Sequence, residues 1–276
     1  MTFATWPARR GRHLTMASAV LAAAALLTAC GATTGSTAAG TSPGGPSTAG
    51  RTAPAPSGTA SAQPSGGASV LGGHPSEDAP TLAHLAGLGP QTAARVPADA
   101  RQVIVVTGEG RNSPRSRVVL YQRTASGWHG GAGWAAHNAV KGWTADHHLD
   151  DLRSPIGVFT LSDAGGLLSD PGSKLPYTHS GGFAATGTGF EGESLAGSFD
   201  YVIAIDYNRV PGTTPLDWTR PLGQAKGGGV WLHVDHGGPT HACVSLAKAH
   251  MRQLLRTLDP TQHPVVVMGD GASLRR

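Results

Sequence analysis

The chain has 276 residues, a formal net charge of +4 and two cysteines among 40 glycines and 13 histidines. Part of the positive charge sits in Arg9, Arg10 and Arg12 near the start, and the remainder is close to neutral. No basic cluster is interleaved with aromatic residues, which argues against a nucleic-acid partner.

In chain order, residues 1–13 carry those arginines and no acidic residue, and Met16 to Ala29 is a run of small and apolar residues. This pattern predicts a secretory signal over 1–29, because the run is shorter than the roughly 20 residues a membrane span needs. Leu27-Thr28-Ala29-Cys30 resembles the lipobox of bacterial lipoproteins, in which the cysteine is acylated. That resemblance implies a membrane anchor at Cys30 and a site of action on the outer face of the bacterial cytoplasmic membrane, in the cell wall. The alternative is ordinary cleavage near Ala29, with Cys30 left free or trimmed.

Residues 30–76 are almost entirely Gly, Ala, Ser, Thr and Pro, with Arg51 the one charge. Such a composition cannot bury a core, so a disordered tether is expected, with a reach on the order of 35 Å. A pre-domain segment follows over 77–101, with a short helix expected near Leu82 to Leu88. The folded domain is expected over 102–270, with 271–276 as a tail. Six runs read as strands: Gln102 to Val106, Arg117 to Gln122, Gly157 to Leu161, Tyr201 to Asp206, Val230 to Val234 and Val265 to Met268. One helix interrupts them, with Leu246, Ala247, Met251, Leu254, Leu255 and Leu258 on one face and Asp259-Pro260 as its stop. The expectation is one mainly β domain, a mixed β-sandwich or barrel with one C-terminal helix.

The densest chemistry lies between Gly229 and Leu246. His233, Asp235, His236, His241 and Cys243 crowd into a short stretch broken by Gly237-Gly238-Pro239. Cys243 is the one cysteine of the expected domain, so no internal disulfide can form there, and in an oxidising compartment an unpaired thiol points to chemistry. A cysteine just ahead of a helix N-terminus, beside an imidazole, would favour the nucleophilic thiolate.

Thr240-His241-Ala242-Cys243-Val244-Ser245, with His233 on the strand before it, resembles the Ser/Thr-His-Gly-Cys signature of the YkuD-type L,D-transpeptidases. Arg153-Ser154-Pro155-Ile156-Gly157-Val158-Phe159 resembles the Thr-Pro-x-Gly-x-Phe segment of the same family. The resemblance implies a YkuD-like fold over roughly 102–269 and acyl transfer on peptidoglycan stem peptides. It implies a nucleophile at Cys243, a proton acceptor and donor at His233 oriented by a main-chain carbonyl, and an oxyanion site at the backbone of Ala242 and Cys243 with support from His241. It also implies a donor pocket that Tyr177 could line, although an ordinary packed aromatic is the alternative there. No cofactor and no metal are called for.

Ala242 stands where the family usually has glycine, which leaves a catalytically silent cell-wall-binding lipoprotein as an alternative. L,D-carboxypeptidase action on the same stems is another, since water competes with an amine for one thioester. A zinc module built on His233, Asp235, His236, His241 and Cys243 is the rival of a different class, but adjacent strand residues point to opposite faces and no second cysteine completes a set. His137, His147, His148 and His179 lie in polar, Gly-rich stretches and are expected at the surface, and Asp235 is expected to face solvent or cap the turn.

Overall fold

A computed structural model describes residues 81–276. The expected signal, the lipidation site at Cys30 and the tether lie outside the described residues. The elements run α1 (Pro90–Ala93), β1 (Gln102–Gly108), β2 (Arg115–Thr124), β3 (Gly127–His137), β4 (Trp143–Thr144), β5 (Ser154–Pro155), β6 (Gly157–Thr160), β7 (Ala164–Gly166) and β8 (Tyr177–His179). They continue with β9 (Val202–Ala204), β10 (Trp231–Val234), β11 (Val244–Leu246), α2 (Lys248–Thr257), β12 (Val265–Asp270) and α3 (Gly271–Leu274). The domain is mainly β, with few and short helices.

Ten strands form one mixed sheet in the order β6-β12-β1-β2-β3-β11-β10-β9-β7-β8, and β4 pairs with β5 apart from it. Within that sheet three pairs are parallel, β1 with β12, β10 with β11 and β7 with β8, and the rest antiparallel; the separate β4–β5 pair is also parallel. One apolar cluster draws Ile104 and Met268 from one end of this order and Ile203, Leu232 and Ala164 from the other. Strands so far apart in a sheet share a core only if the sheet curls, as twisted sheets of this size do. Helix α2 closes that core with Met251, Leu254 and Leu255.

All six expected strands are present. The helix pattern also holds from Met251 onward, but Leu246 belongs to β11. The short helix expected near Leu82 to Leu88 is absent: Leu82 pairs with Trp128 across a β-bridge, and the first helix is α1. Nor do the flanks behave as linker and tail. Leu85, Ala100 and Leu274 are buried together with Val103, Tyr121 and Trp128. The Gly89 amide donates to the Leu274 carbonyl (2.9 Å), so the two flanks close on each other against the outer face of β1 and β12. Asp270 caps α3 by accepting from the amides of Ala272 and Ser273. Among the described residues no helix is long and apolar enough to cross a membrane.

Candidate active site

The site follows from the register of two parallel strands. Leu232 pairs with Val244 and His233 with Ser245, which sets Cys243 opposite Trp231 one step earlier. Opposed residues of parallel strands face the same side, and residues two apart along one strand do too. Trp231, His233, Cys243 and Ser245 therefore share a face, and Leu232, Val234, Val244 and Leu246 point the other way into the main core. Diagonal neighbours in such a ladder stand roughly 8 Å apart at Cα, which leaves His233 and Cys243 within reach of a common substrate atom.

The shared face is roofed by aromatics. Phe183 and Phe199 meet the Trp231 ring edge-on at 5.9 and 5.1 Å, and Phe199 meets the His233 ring at 5.2 Å. Cys243 packs into this layer with Leu216 and Leu167. Cys243 is a free thiol. Its Sγ accepts from the Trp231 amide (3.4 Å) and faces the Gly229 carbonyl (3.6 Å). Gly227, Gly228 and Gly229 all have positive φ (65°, 147° and 66°), a conformation that side chains with a Cβ resist, and this run delivers the Gly229 carbonyl to the sulfur.

The backbone of the cysteine loop is pinned from behind. The Cys243 carbonyl accepts from Thr240 Oγ1 (2.6 Å) and from Ser154 Oγ (3.4 Å), while Ser154 Oγ itself accepts from the Ala139 amide (3.1 Å). The Thr240 amide donates to the Asn138 carbonyl (3.0 Å). Pro155 and Gly157 shape the chain here, but Ser154 is the residue of that segment that touches the cysteine loop.

His233 is buried, and its Nδ1–H donates to the Val234 carbonyl at 2.9 Å. That bond fixes the tautomer and leaves Nε2 as the acceptor. Burial pushes the imidazole down to about 4, against the pull of the Val234 carbonyl. Burial likewise pushes the Cys243 thiol up to about 11, with the Trp231 amide pulling the other way. The resting pair at neutral pH is a neutral thiol and a neutral imidazole. This corrects the expectation of a helix-stabilised thiolate: Val244 to Leu246 continue as β11, paired on both sides, and α2 starts only at Lys248. The helix dipole acts mainly within its first turn and does not reach Cys243 directly.

Of the other residues singled out by sequence, His241 is exposed and lies against Phe190 (4.7 Å). Ala242 has no positive φ and packs toward the main core, away from the thiol face. It also borders a cavity of about 90 Å³, shared with His147, Leu152 and Gly228. Tyr177 is not brought to Cys243: its hydroxyl donates to the Leu168 carbonyl (2.9 Å) and its ring packs against the main core, on the opposite face of the sheet. Ala164, its partner in the ladder, faces the same core, which is the reason.

Asp235 is neither a solvent residue nor a turn cap. It accepts from His137 Nδ1 (2.8 Å) and Ser245 Oγ (2.6 Å), and although burial raises its carboxyl, those bonds leave it below its ordinary value. His137 is thus a partner within the site, and His147 is buried beside Tyr207, while His148 and His179 are exposed as expected. His236 pairs with Glu193 (3.0 Å). The five candidate zinc ligands diverge to these separate partners, and among the described residues no three such side chains converge on one point. Glu193, Phe199 and Phe183 come from loops distant in sequence that carry no pattern tying them to the cysteine. Ser245, two residues past Cys243 on a strand, was legible in principle.

No family model matches the chain, and no curated protein matches it. Among solved structures, Bdellovibrio bacteriovorus Bd1075 is similar over 62% of this chain and 48% of that chain, with 16% identity and a TM-score of 0.35. The chain thus spans about half the length of that protein.

Proposed function

We propose that this domain is a cysteine acyltransferase with a YkuD-like fold, an L,D-transpeptidase that takes peptidoglycan tetrapeptide stems as donors. The observation that carries the reading is the shared face of β10 and β11, where a free thiol and a histidine with its Nδ1–H committed to a main-chain carbonyl stand two register steps apart. In this reading Nε2 of His233 removes the thiol proton as Sγ attacks the carbonyl between the third stem residue and the terminal D-Ala. The amides of Ala242 and Cys243 hold the oxyanion, a contribution of about 3 to 4 kcal/mol per donor. His233 then passes the proton to the leaving D-Ala amine, and an uncharged thioester remains. The side-chain amine of a second stem attacks it, frees the thiol and leaves a 3→3 cross-link.

A thiol at about 11 beside an imidazole at about 4 suits proton transfer in step with attack rather than a standing ion pair. Burial that penalises a thiolate does not penalise a thioester. With an anchor at Cys30 the domain would act from the outer face of the cytoplasmic membrane, on the wall. The same raised thiol also leaves a second reading, a silent wall-binding lipoprotein, because a thiol held protonated acylates only if the imidazole takes its proton in step with attack. Incubating the full-length protein with a disaccharide tetrapeptide and weighing the products separates these. A cross-linked dimer supports the transpeptidase, a tripeptide points to carboxypeptidase action, and no product together with no carbapenem adduct on Cys243 leaves only the silent binder.

A further inference from the structure

His236 lies outside the thiol–imidazole pair, yet its side chain is only 4% exposed. Its ring is almost parallel to that of His233, 8° apart, with centroids 5.8 Å apart. Its Nδ1 is 3.0 Å from Glu193 Oε1. The carboxylate of Glu193 is seated in space that two glycines leave open, since a Cβ on Gly189 or Gly238 would come within 2.0 or 2.2 Å of the same oxygen. Its second oxygen accepts from the Glu191 amide (2.8 Å). A loop far from the cysteine in sequence thus carries a carboxylate into the wall of the site, where it grips one histidine and lays it against the other.

We propose that Glu193 and His236 form a positioning pair for His233: the carboxylate anchors the His236 ring, and the anchored ring fixes the plane of the His233 ring. The geometry supports it from three sides. The Val234 carbonyl holds one nitrogen of His233, the Phe199 ring stands at a steep angle to it at 5.2 Å, and the His236 ring lies nearly parallel to it at 5.8 Å. A ring so confined has one orientation, as a proton shuttle requires, since small misplacements of reacting groups are costly in rate.

The charges around it also fit. Asp235 and His236 bear on the His233 ring, Glu193 and Asp235 face His236, and His137 acts on Asp235, from the loop before β9, the end of β10 and the end of β3. Asp235 is already shared between His137 and Ser245. Glu193 is the carboxylate whose hydrogen bond goes to His236, and its carboxyl is held below the ordinary value by backbone amides and by His236. His236 lowers the His233 imidazole and Asp235 raises it, so removing His236 leaves the pull of Asp235 unopposed and raises the imidazole.

The inference rests on the acyltransferase reading for its kinetic arm but not for its spectroscopic one. In full-length protein labelled with ¹⁵N-histidine, the His233 ring is followed by NMR from pH 3 to 8 in the parent, His236→Ala and Glu193→Gln, and carbapenem acylation of Cys243 is timed in the same samples. Expected for His236→Ala are a titration midpoint of His233 raised by at least one pH unit, mixed tautomers, and an acylation rate constant down roughly tenfold or more with carbapenem affinity unchanged. Glu193→Gln keeps an acceptor for His236 but loosens the grip on its ring, so the His233 tautomer stays fixed while its ring signals shift. An unchanged His233 signal in either folded variant overturns the proposal, as does a His236→Ala protein that acylates within twofold of the parent. A parent that never acylates but shows the expected His233 signals sinks the acyltransferase reading and leaves the positioning pair standing.

Discussion

The two faces of β10 and of β11 with the adjoining Cys243 are made by alternate residues of the same two segments and could hardly differ more. On one side Leu232, Val234, Val244 and Leu246 are packed against α2 with nothing polar among them. On the other, Trp231, His233 and Ser245 are buried and Cys243 is half-buried, and together they carry a thiol, an imidazole and a hydroxyl under an aromatic roof. Burial costs nothing on the first face. On the second it pushes the histidine down to about 4 and the thiol up to about 11, and every polar atom needs a partner. A face built only for stability would not hold such groups, so the contrast separates what holds the domain together from what it does.

Changes on the polar face should break chemistry and spare the fold, and the largest effect is expected from the sulfur itself. Cys243→Ser should abolish carbapenem acylation and stem turnover, because a hydroxyl at its ordinary pKa is a far poorer nucleophile. Its unfolding midpoint should stay close to that of the parent, since the hydroxyl can take over the bonds to Trp231 and Gly229. Residual adducts by intact mass would move the nucleophile elsewhere.

His233→Ala should lower the acylation rate by about 10²- to 10⁴-fold. The same histidine gives the contrast a pH axis. Its ordinary value is 6.5 and its folded value about 4, so between those limits the unfolded chain binds a proton that the folded chain refuses. Stability should therefore fall as pH drops from about 6.5 to 4, by about 3 kcal/mol in full. Urea titrations at pH 7 and 4.5 should show that slope in the parent and lose most of it in His233→Gln. A parent whose stability is flat over this range contradicts the buried neutral imidazole.

On the apolar face the reverse is expected. Leu246→Ala should cost about 2 to 5 kcal/mol, the usual toll of a truncated buried leucine. The acylation rate per folded molecule should stay within about twofold, because the residue points into the main core and Ser245 keeps its hydrogen bond to Asp235. A rate loss as large as that of His233→Ala would show that the two faces are not separable.

Much of this contrast can be read from residue order. Val230 to Val234 is a short apolar run of the kind a buried strand shows, and the cysteine with its upstream histidine is visible in a short stretch. Strand β11 is harder. Val-Ser-Leu runs into a helical pattern that shares Leu246, and only pairing with β10 and β3 makes it a strand, a tertiary preference that local sequence does not carry. Strand β3 is hidden by its glycines, which look like a loop. Gly130 is needed because a Cβ there would lie 2.8 Å from the Tyr121 ring across the ladder. His137 ends that strand, which is why it reads as a surface histidine and stands beside Asp235. Glu193 belongs to a loop with no periodicity at all, and its seat exists only once Gly189 and Gly238 come together in space.

The smallest effect sharpens the comparison most, because it falls on a residue that sits between the two faces. Ala242 replaces the glycine of the resembling family, and its amide is assigned to the oxyanion while its methyl group packs toward the main core. Its φ lies outside the left-handed region that only glycine enters freely, so nothing in the backbone asks for glycine here. Ala242→Gly should accordingly leave the acylation rate within about threefold of the parent and cost a few tenths of a kcal/mol to about 1 kcal/mol of stability, through the freer unfolded chain and the lost methyl contact. If the methyl group instead obstructs the oxyanion site, the glycine variant should acylate faster. A gain of about tenfold, or about 1.4 kcal/mol in barrier, timed by the carbapenem reaction, would place the methyl on the polar face after all and would turn the natural sequence toward the silent reading.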